Sequence, residues 1–185
     1  MPKFSSDKGK RFERNIRSQL SKATGVEFFR VPRSGGLVTS LPILKEELGI
    51  YANSFKGDLF ASGLAFLLEL KNRSSEVKLS HLVDGYGSIY KWWEQAVEEA
   101  GDLLMPMVIF NTASHNKYCI VDEDGFNVLK PKFYSEIINE KYHVFVIPFS
   151  QFINTDLHKK LFIKNIKNVP SKYQKTFNER LNNEI

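Results

Sequence analysis

Gly57-Asp58-Leu59-Phe60-Ala61-Ser62-Gly63-Leu64-Ala65-Phe66-Leu67-Leu68-Glu69-Leu70-Lys71 is the stretch on which the fold turns. Residues 58–61 predict one β-strand, Ser62-Gly63 a tight turn, and residues 64–71 a second strand. The second strand is apolar almost throughout until Glu69, which suits a central strand buried on both faces. Side chains alternate along a strand, so Glu69 and Lys71 share a face with Leu67 and Ala65. Pairing across the hairpin brings Asp58 beside them.

Two carboxylates and an ammonium therefore converge at the edge of an apolar sheet. Burying such charges without a partner is costly, and a metal or a substrate is the usual compensation. Two hard carboxylate ligands with a backbone carbonyl suit Mg²⁺, which keeps several waters. The competing reading is a surface Glu69–Lys71 pair at a sheet edge.

Outward from this hairpin, residues 7–22 predict a helix. Phe12, Ile16 and Leu20 recur four apart as its apolar stripe, and Lys10, Arg11, Arg14 and Arg17 take the exposed sides. Asp7, Ser5 or Ser6 is the expected N-cap, and Thr24-Gly25 stops it. Residues 26–31 read as a strand broken by Pro32-Arg33-Ser34-Gly35-Gly36, and residues 41–50 as a short helix. Residues 86–101 predict a second long helix through Ile89, Trp92, Trp93, Ala96, Val97 and Ala100, with Gly101 as its stop. Residues 105–110 read as another buried strand. Residues 117–121 and 126–129 read as a hairpin around Asp122-Glu123-Asp124-Gly125, and residues 143–148 as a further strand. The Lys- and Asn-rich segment from Thr155 offers Leu161, Phe162, Ile163 and Ile166 as apolar positions but no assigned element. The order predicts a mixed α/β domain, residues 1–185, with 155–185 as a basic C-terminal extension.

Charge is distributed unevenly. The chain of 185 residues has 26 Lys and Arg against 21 Asp and Glu. Residues 1–35 carry nine basic and three acidic residues, and residues 155–185 carry seven and three. The middle is net acidic. Two basic ends around an acidic centre suggest a polyanion held over a carboxylate-bearing site; the alternative is that the basic ends are merely solvated.

Other chemistries find little support. The single cysteine, Cys119, excludes an intramolecular disulfide and a Cys-rich zinc site. A lone Cys in an apolar stretch reads as a buried small residue. The four histidines form no HxxxH or HExxH, and there is no GxSxG and no phosphate loop of the nucleotide-binding kind. Asp122, Glu123 and Asp124 read as a solvated turn, and they lack calcium-loop spacing. No apolar stretch reaches membrane-spanning length and no secretory signal is evident, so a cytoplasmic setting, in a prokaryote or a phage-infected cell, is expected.

Gly57-Asp58, ten further residues, and Glu69-Leu70-Lys71 resemble the D…(D/E)xK core of the PD-(D/E)xK nuclease superfamily. Gly9-Lys10-Arg11-Phe12-Glu13 on the first helix and Phe29-Arg30-Val31-Pro32-Arg33-Ser34-Gly35-Gly36 after the first strand extend the likeness. The whole arrangement, over roughly residues 8–72, is similar to archaeal-type Holliday-junction resolvases, which also occur in phages. The resemblance implies the restriction-endonuclease-like α/β fold, a central mixed β-sheet flanked by helices. It implies Mg²⁺-dependent cleavage of branched DNA, with Mn²⁺ able to substitute, by a homodimer and without a nucleotide cofactor. Glu13, Asp58 and Glu69 would be metal ligands together with the carbonyl of Leu70. Lys71 would be the catalytic lysine, and Ser34 would place the scissile phosphate. Lys10, Arg11, Arg14, Arg30 and Arg33 would hold the DNA backbone, and Gln95 would be a polar neighbour of the site.

The chain departs from that pattern by Gly57 in place of Pro, a change common among resolvase-like members, by a long stretch between Gly36 and Gly57, and by its segment beyond about residue 112. Outside the resemblance, Glu13 fits an i,i+4 ion pair with Arg17, and Arg33-Ser34-Gly35-Gly36 a plain turn. Ile89, Trp92 and Trp93 fit either core or an apolar dimer interface. The same fold also serves restriction or repair nucleases acting on duplex or flap DNA, and non-catalytic DNA-binding modules.

Overall fold

Phe12, Ile16 and Leu20, four residues apart, lie on one stripe of the first helix and are buried against a β-sheet. A computed structural model describes residues 3–31, 57–72, 77–78, 80–112 and 114–182. In chain order its elements begin with helix α1 (Lys3–Thr24), strand β1 (Phe29–Arg30), strand β2 (Leu59–Phe60) and strand β3 (Phe66–Lys71). Helices α2 (Ser80–Val83) and α3 (Ser88–Ala100) lead to strands β4 (Met105–Asn111) and β5 (Lys117–Val121). Helix α4 (Glu123–Leu129) precedes strands β6 (Ser135–Ile138) and β7 (His143–Pro148). Helices α5 (Phe149–Ile153) and α6 (Leu157–Lys160), a 3₁₀ turn (Ile163–Asn165) and helix α7 (Ser171–Asn182) complete the chain.

The seven strands form one mixed sheet in the order β1-β2-β3-β4-β5-β7-β6. β2 and β3 are antiparallel, with Leu59 opposite Leu68, as the hairpin reading requires. β3 and β4 are parallel, with Glu69 beside Val108. Adjacent parallel strands need a long crossover, and α3 lies on that crossover. The sheet is covered on both sides. Phe66, Leu68, Leu70, Met107 and Ile109 belong to the core that includes α1. Leu67, Val108 and Phe110 belong to the core that includes α3. The two-residue alternation thus sends each successive side chain of β3 and β4 into a different apolar layer. Ala65, just before β3, joins the α1 side rather than the face of Leu67.

Several expectations are corrected. The strand expected over 26–31 is reduced to Phe29–Arg30. The hairpin expected around residues 122–125 does not form, and residues 123–129 are helical. Asp122 is the N-cap: its carboxylate accepts the Gly125 N–H at 2.8 Å, and its carbonyl accepts that of Phe126 at 2.9 Å. That local capping outcompetes the turn. Ile89, Trp92 and Trp93 are 2%, 8% and 5% exposed within the core beneath α3, so they offer no dimer interface. The helix expected over 41–50 lies outside the described residues.

The C-terminal segment is not an appendage. Leu161, Phe162, Ile163, Tyr173 and Phe177 join the α1-side core. Ala65 N–H donates to the Leu161 carbonyl at 2.7 Å, and Ile163 N–H to that of Gly63 at 2.8 Å. Arg180, 3% exposed, donates to the carbonyls of Leu64 at 3.0 Å and Leu103 at 3.5 Å. α7 is thereby fixed at the end of the sheet where β3 and β4 begin. Cys119 is fully buried, as expected, and burial pushes its thiol well above the ordinary range.

Candidate active site

The other end of β3 gathers the charged residues. Gly57 leads into it with φ +78°, a left-handed conformation that favours glycine. A Cβ on Gly57 would stand 2.8 Å from the Leu68 carbonyl oxygen. The close approach is used at once, because Asp58 N–H donates to that same oxygen at 2.8 Å. The Asp58 carbonyl accepts Val31 N–H at 3.0 Å, and its side-chain Oδ2 accepts Leu70 N–H at 2.7 Å. Asp58 is 4% exposed and its carboxylate is locked against the strand that carries Glu69. Glycine at this position is thus required by the backbone.

Glu69 is also 4% exposed. Its carboxylate forms an ion pair with Lys71 Nζ. Burial pushes the Glu69 carboxyl above its usual range, and the charge of Asp58 pushes it further. Lys71 opposes that rise, while Glu99 adds to it. Lys71 Nζ also donates to Gln95 Oε1 at 3.2 Å, and Gln95 Nε2 donates to Glu99 Oε1 at 2.8 Å. Asp58, Glu69, Lys71 and Gln95, all singled out from the sequence, are therefore brought together.

Glu13 is placed otherwise. It is buried, and it accepts Arg30 Nε at 2.7 Å in an ion pair with that guanidinium, not with Arg17. Among the described residues no three His, Cys, Asp or Glu side chains assemble into a metal-holding group. The described partner of Glu13 is Arg30, not Asp58 or Glu69. Arg30, expected on DNA, is held by Glu13 with about a third of its side chain exposed. Lys10, Arg11 and Arg14 are exposed on α1. Ser34 and Arg33 lie outside the described residues.

Three residues near the site are not marked by any motif in the sequence. Asn72 Nδ2 donates to the Lys8 carbonyl at 2.9 Å, and Asn111 Nδ2 to Asn72 Oδ1 at 2.9 Å. These bonds tie the first half of α1 to the ends of β3 and β4. Asparagines carry no pattern that signals such a link. Glu99 stands four residues after Gln95, the spacing at which helical side chains meet, and that spacing is a signal the sequence does carry.

Two buried carboxylates and a nearby strand carbonyl, that of Leu70, make a hard oxygen donor set. The mutual repulsion of Asp58 and Glu69 would be relieved by a divalent cation, so these residues fit one. A mixed sheet with helices on both faces and an Asp…Glu-x-Lys hairpin within it defines an α/β domain of the PD-(D/E)xK nuclease fold. Over residues 4–175 the chain matches the family described as "Phage putative PDDEXK endonuclease", and it belongs to that family. No curated protein and no solved structure matches it. Among the described residues no helix is long and apolar enough to cross a membrane.

Proposed function

We propose that the chain is a divalent-metal-dependent endodeoxyribonuclease that cuts branched DNA, a four-way junction above all, with Asp58, Glu69 and Lys71 as its cleavage centre. The observation that carries the reading is the meeting of two carboxylates, each 4% exposed, at the end of an otherwise apolar sheet with an ammonium against one of them. Such a pair destabilises the fold unless a cation or substrate offsets it.

Asp58 and Glu69, with the carbonyl of Leu70, would hold Mg²⁺. A divalent cation there supplies charge neutralisation at a phosphodiester and acidifies a water. Asp58 keeps its carboxylate in place through the Leu70 N–H. Lys71 presents its ammonium to the charge that grows on the phosphate oxygens during in-line displacement. Glu13 orients the Arg30 guanidinium toward a flanking phosphate instead of serving as a further ligand. Lys10, Arg11 and Arg14 continue the contact along the DNA backbone. Ser34 and Arg33 are assigned to the scissile phosphate and its neighbour on the sequence resemblance alone.

The junction preference rests on the resolvase-like spacing from Glu13 to Lys71. A homodimer follows from the two symmetric nicks that junction resolution needs, and its contact surface must lie away from Trp92 and Trp93. The test is incubation of the purified protein with a labelled four-way junction and the matched linear duplex, in Mg²⁺ and in EDTA. Paired nicks on the junction alone, lost in EDTA, are expected. Cutting of the duplex as well would move the reading to a restriction- or repair-type nuclease. Binding without cutting under any divalent metal would leave a DNA-binding module of the same fold.

A further inference from the structure

Lys71, Gln95 and Glu99 form a chain of contacts in which the middle member has two possible orientations. Gln95 Oε1 accepts from Lys71 Nζ at 3.2 Å while Gln95 Nε2 donates to Glu99 Oε1 at 2.8 Å. A glutamine amide carries an acceptor at one end and donors at the other. Turned over, it would set its NH₂ against the Lys71 ammonium, donor against donor. Glu99 favours the productive orientation, because its side-chain oxygen offers the Gln95 NH₂ an acceptor. Both residues sit one helical turn apart on α3, so the backbone fixes their spacing. Lys71 itself has a flexible four-carbon stem, and its ion pair with Glu69 is a single anchor. The Gln95 carbonyl supplies a second.

We propose that Glu99 is a positioning residue for Lys71. It holds the Gln95 amide with its carbonyl toward the ammonium, and so fixes the ammonium in the cleavage centre. The proposal rests on the nuclease reading of Asp58, Glu69 and Lys71. It also separates the acceptor of Glu99, which is needed, from its charge, which is not.

The experiment compares wild type with Glu99→Ala and Glu99→Gln. Alanine is the best helix former at a partly exposed helical position, so that variant keeps the fold. Three quantities are measured: single-turnover cleavage in Mg²⁺, DNA affinity in Ca²⁺, and the ¹⁵N side-chain amide signals of Gln95, assigned by their loss in Gln95→Met. Glu99→Ala is expected to slow cleavage by roughly 10–100-fold, the range for partners that orient a site's ligands. Affinity should stay unchanged, and the Gln95 amide should move to the position of a solvated glutamine. Glu99→Gln, which keeps an acceptor, should restore both the rate and the amide signal. Cleavage by Glu99→Ala at the wild-type rate overturns the proposal alone. So does a Glu99→Gln variant as slow as Glu99→Ala, since charge would then be the operative property. A wild-type protein that cuts no DNA with any divalent metal overturns the nuclease reading and this proposal with it. Loss of cleavage in Glu69→Gln together with unaffected Glu99 variants would keep the reading and discard the proposal.

Discussion

Glu69 stands in a position that costs stability when its carboxylate is charged. Burial and the charge of Asp58 raise its carboxyl, so the folded protein binds that proton more tightly than the unfolded chain does. The contribution of Glu69 to stability is therefore fullest below the ordinary glutamate range. It declines as pH rises through the raised value, where the charged form must stay buried. Glu69→Gln removes that decline. Without metal, the melting temperature of Glu69→Gln should exceed that of wild type near neutral pH, and the gap should close toward pH 4. Each 1 kcal/mol appears as roughly 2–4 °C at this chain length, so thermal scans across pH will read it. The same variant and Asp58→Asn should lose cleavage while keeping junction binding, measured by gel shift in Ca²⁺. Gly57→Ala should fail differently. Its left-handed backbone costs a side chain about 1–2 kcal/mol, and the Leu68 carbonyl blocks the new Cβ. Lower melting temperature together with weaker cleavage is expected, because the strain displaces Asp58. The spacing of Asp58, Glu69 and Lys71 is legible because strand alternation is a local rule. The need for glycine at 57 is not, because it comes from a carbonyl eleven residues away that the hairpin folds against it.

At the scale of elements, the long helices and the buried strands follow from their periods. Phe12, Ile16 and Leu20 mark α1, and the apolar runs mark β3 and β4. Residues 122–129 mislead because Asp-Gly near a β-strand signals a turn as readily as a helix start. Only the Asp122 side chain, bonded to Gly125 N–H, decides between them. The C-terminal segment is illegible for another reason. Its anchors, Tyr173, Phe177 and Arg180, are sparse along a mostly polar helix and meet partners far away in sequence. Arg180 reaches two backbone carbonyls in the loops that lead into β3 and β4. Arg180→Met should deprive both of that donor and lower stability by about 1–3 kcal/mol, measured by urea unfolding. Cleavage at a temperature well below the transition should be spared, since α7 sits at the end of the sheet away from Lys71.

For the whole molecule, the two basic segments are anchored at opposite ends of the sheet. α1 is tied near Lys8 to the end of β3 that carries Lys71, through Asn72 and Asn111. The basic C-terminal segment is fixed at the opposite end, by Leu64 and Leu103. Net charge alone does not distinguish these ends, because it contains no information about which end of the sheet each reaches. Removing Lys10, Arg11 or Arg14 should weaken DNA binding and flatten its salt dependence, by roughly one unit of slope for each phosphate no longer neutralised. Removing Lys164, Lys167 or Lys175, all exposed, should change neither. Titrations of DNA affinity against salt concentration check both halves of that statement.

The bond from Arg180 to the Leu64 carbonyl joins residues 116 apart in the chain. A ribosome therefore delivers the strand bearing Glu69 and Lys71 long before the segment that seals its start. Until residue 180 has emerged, the Leu64 carbonyl lacks the donor that Arg180 brings to it. The end of the sheet where β3 begins is thus completed long after β3 itself has been made.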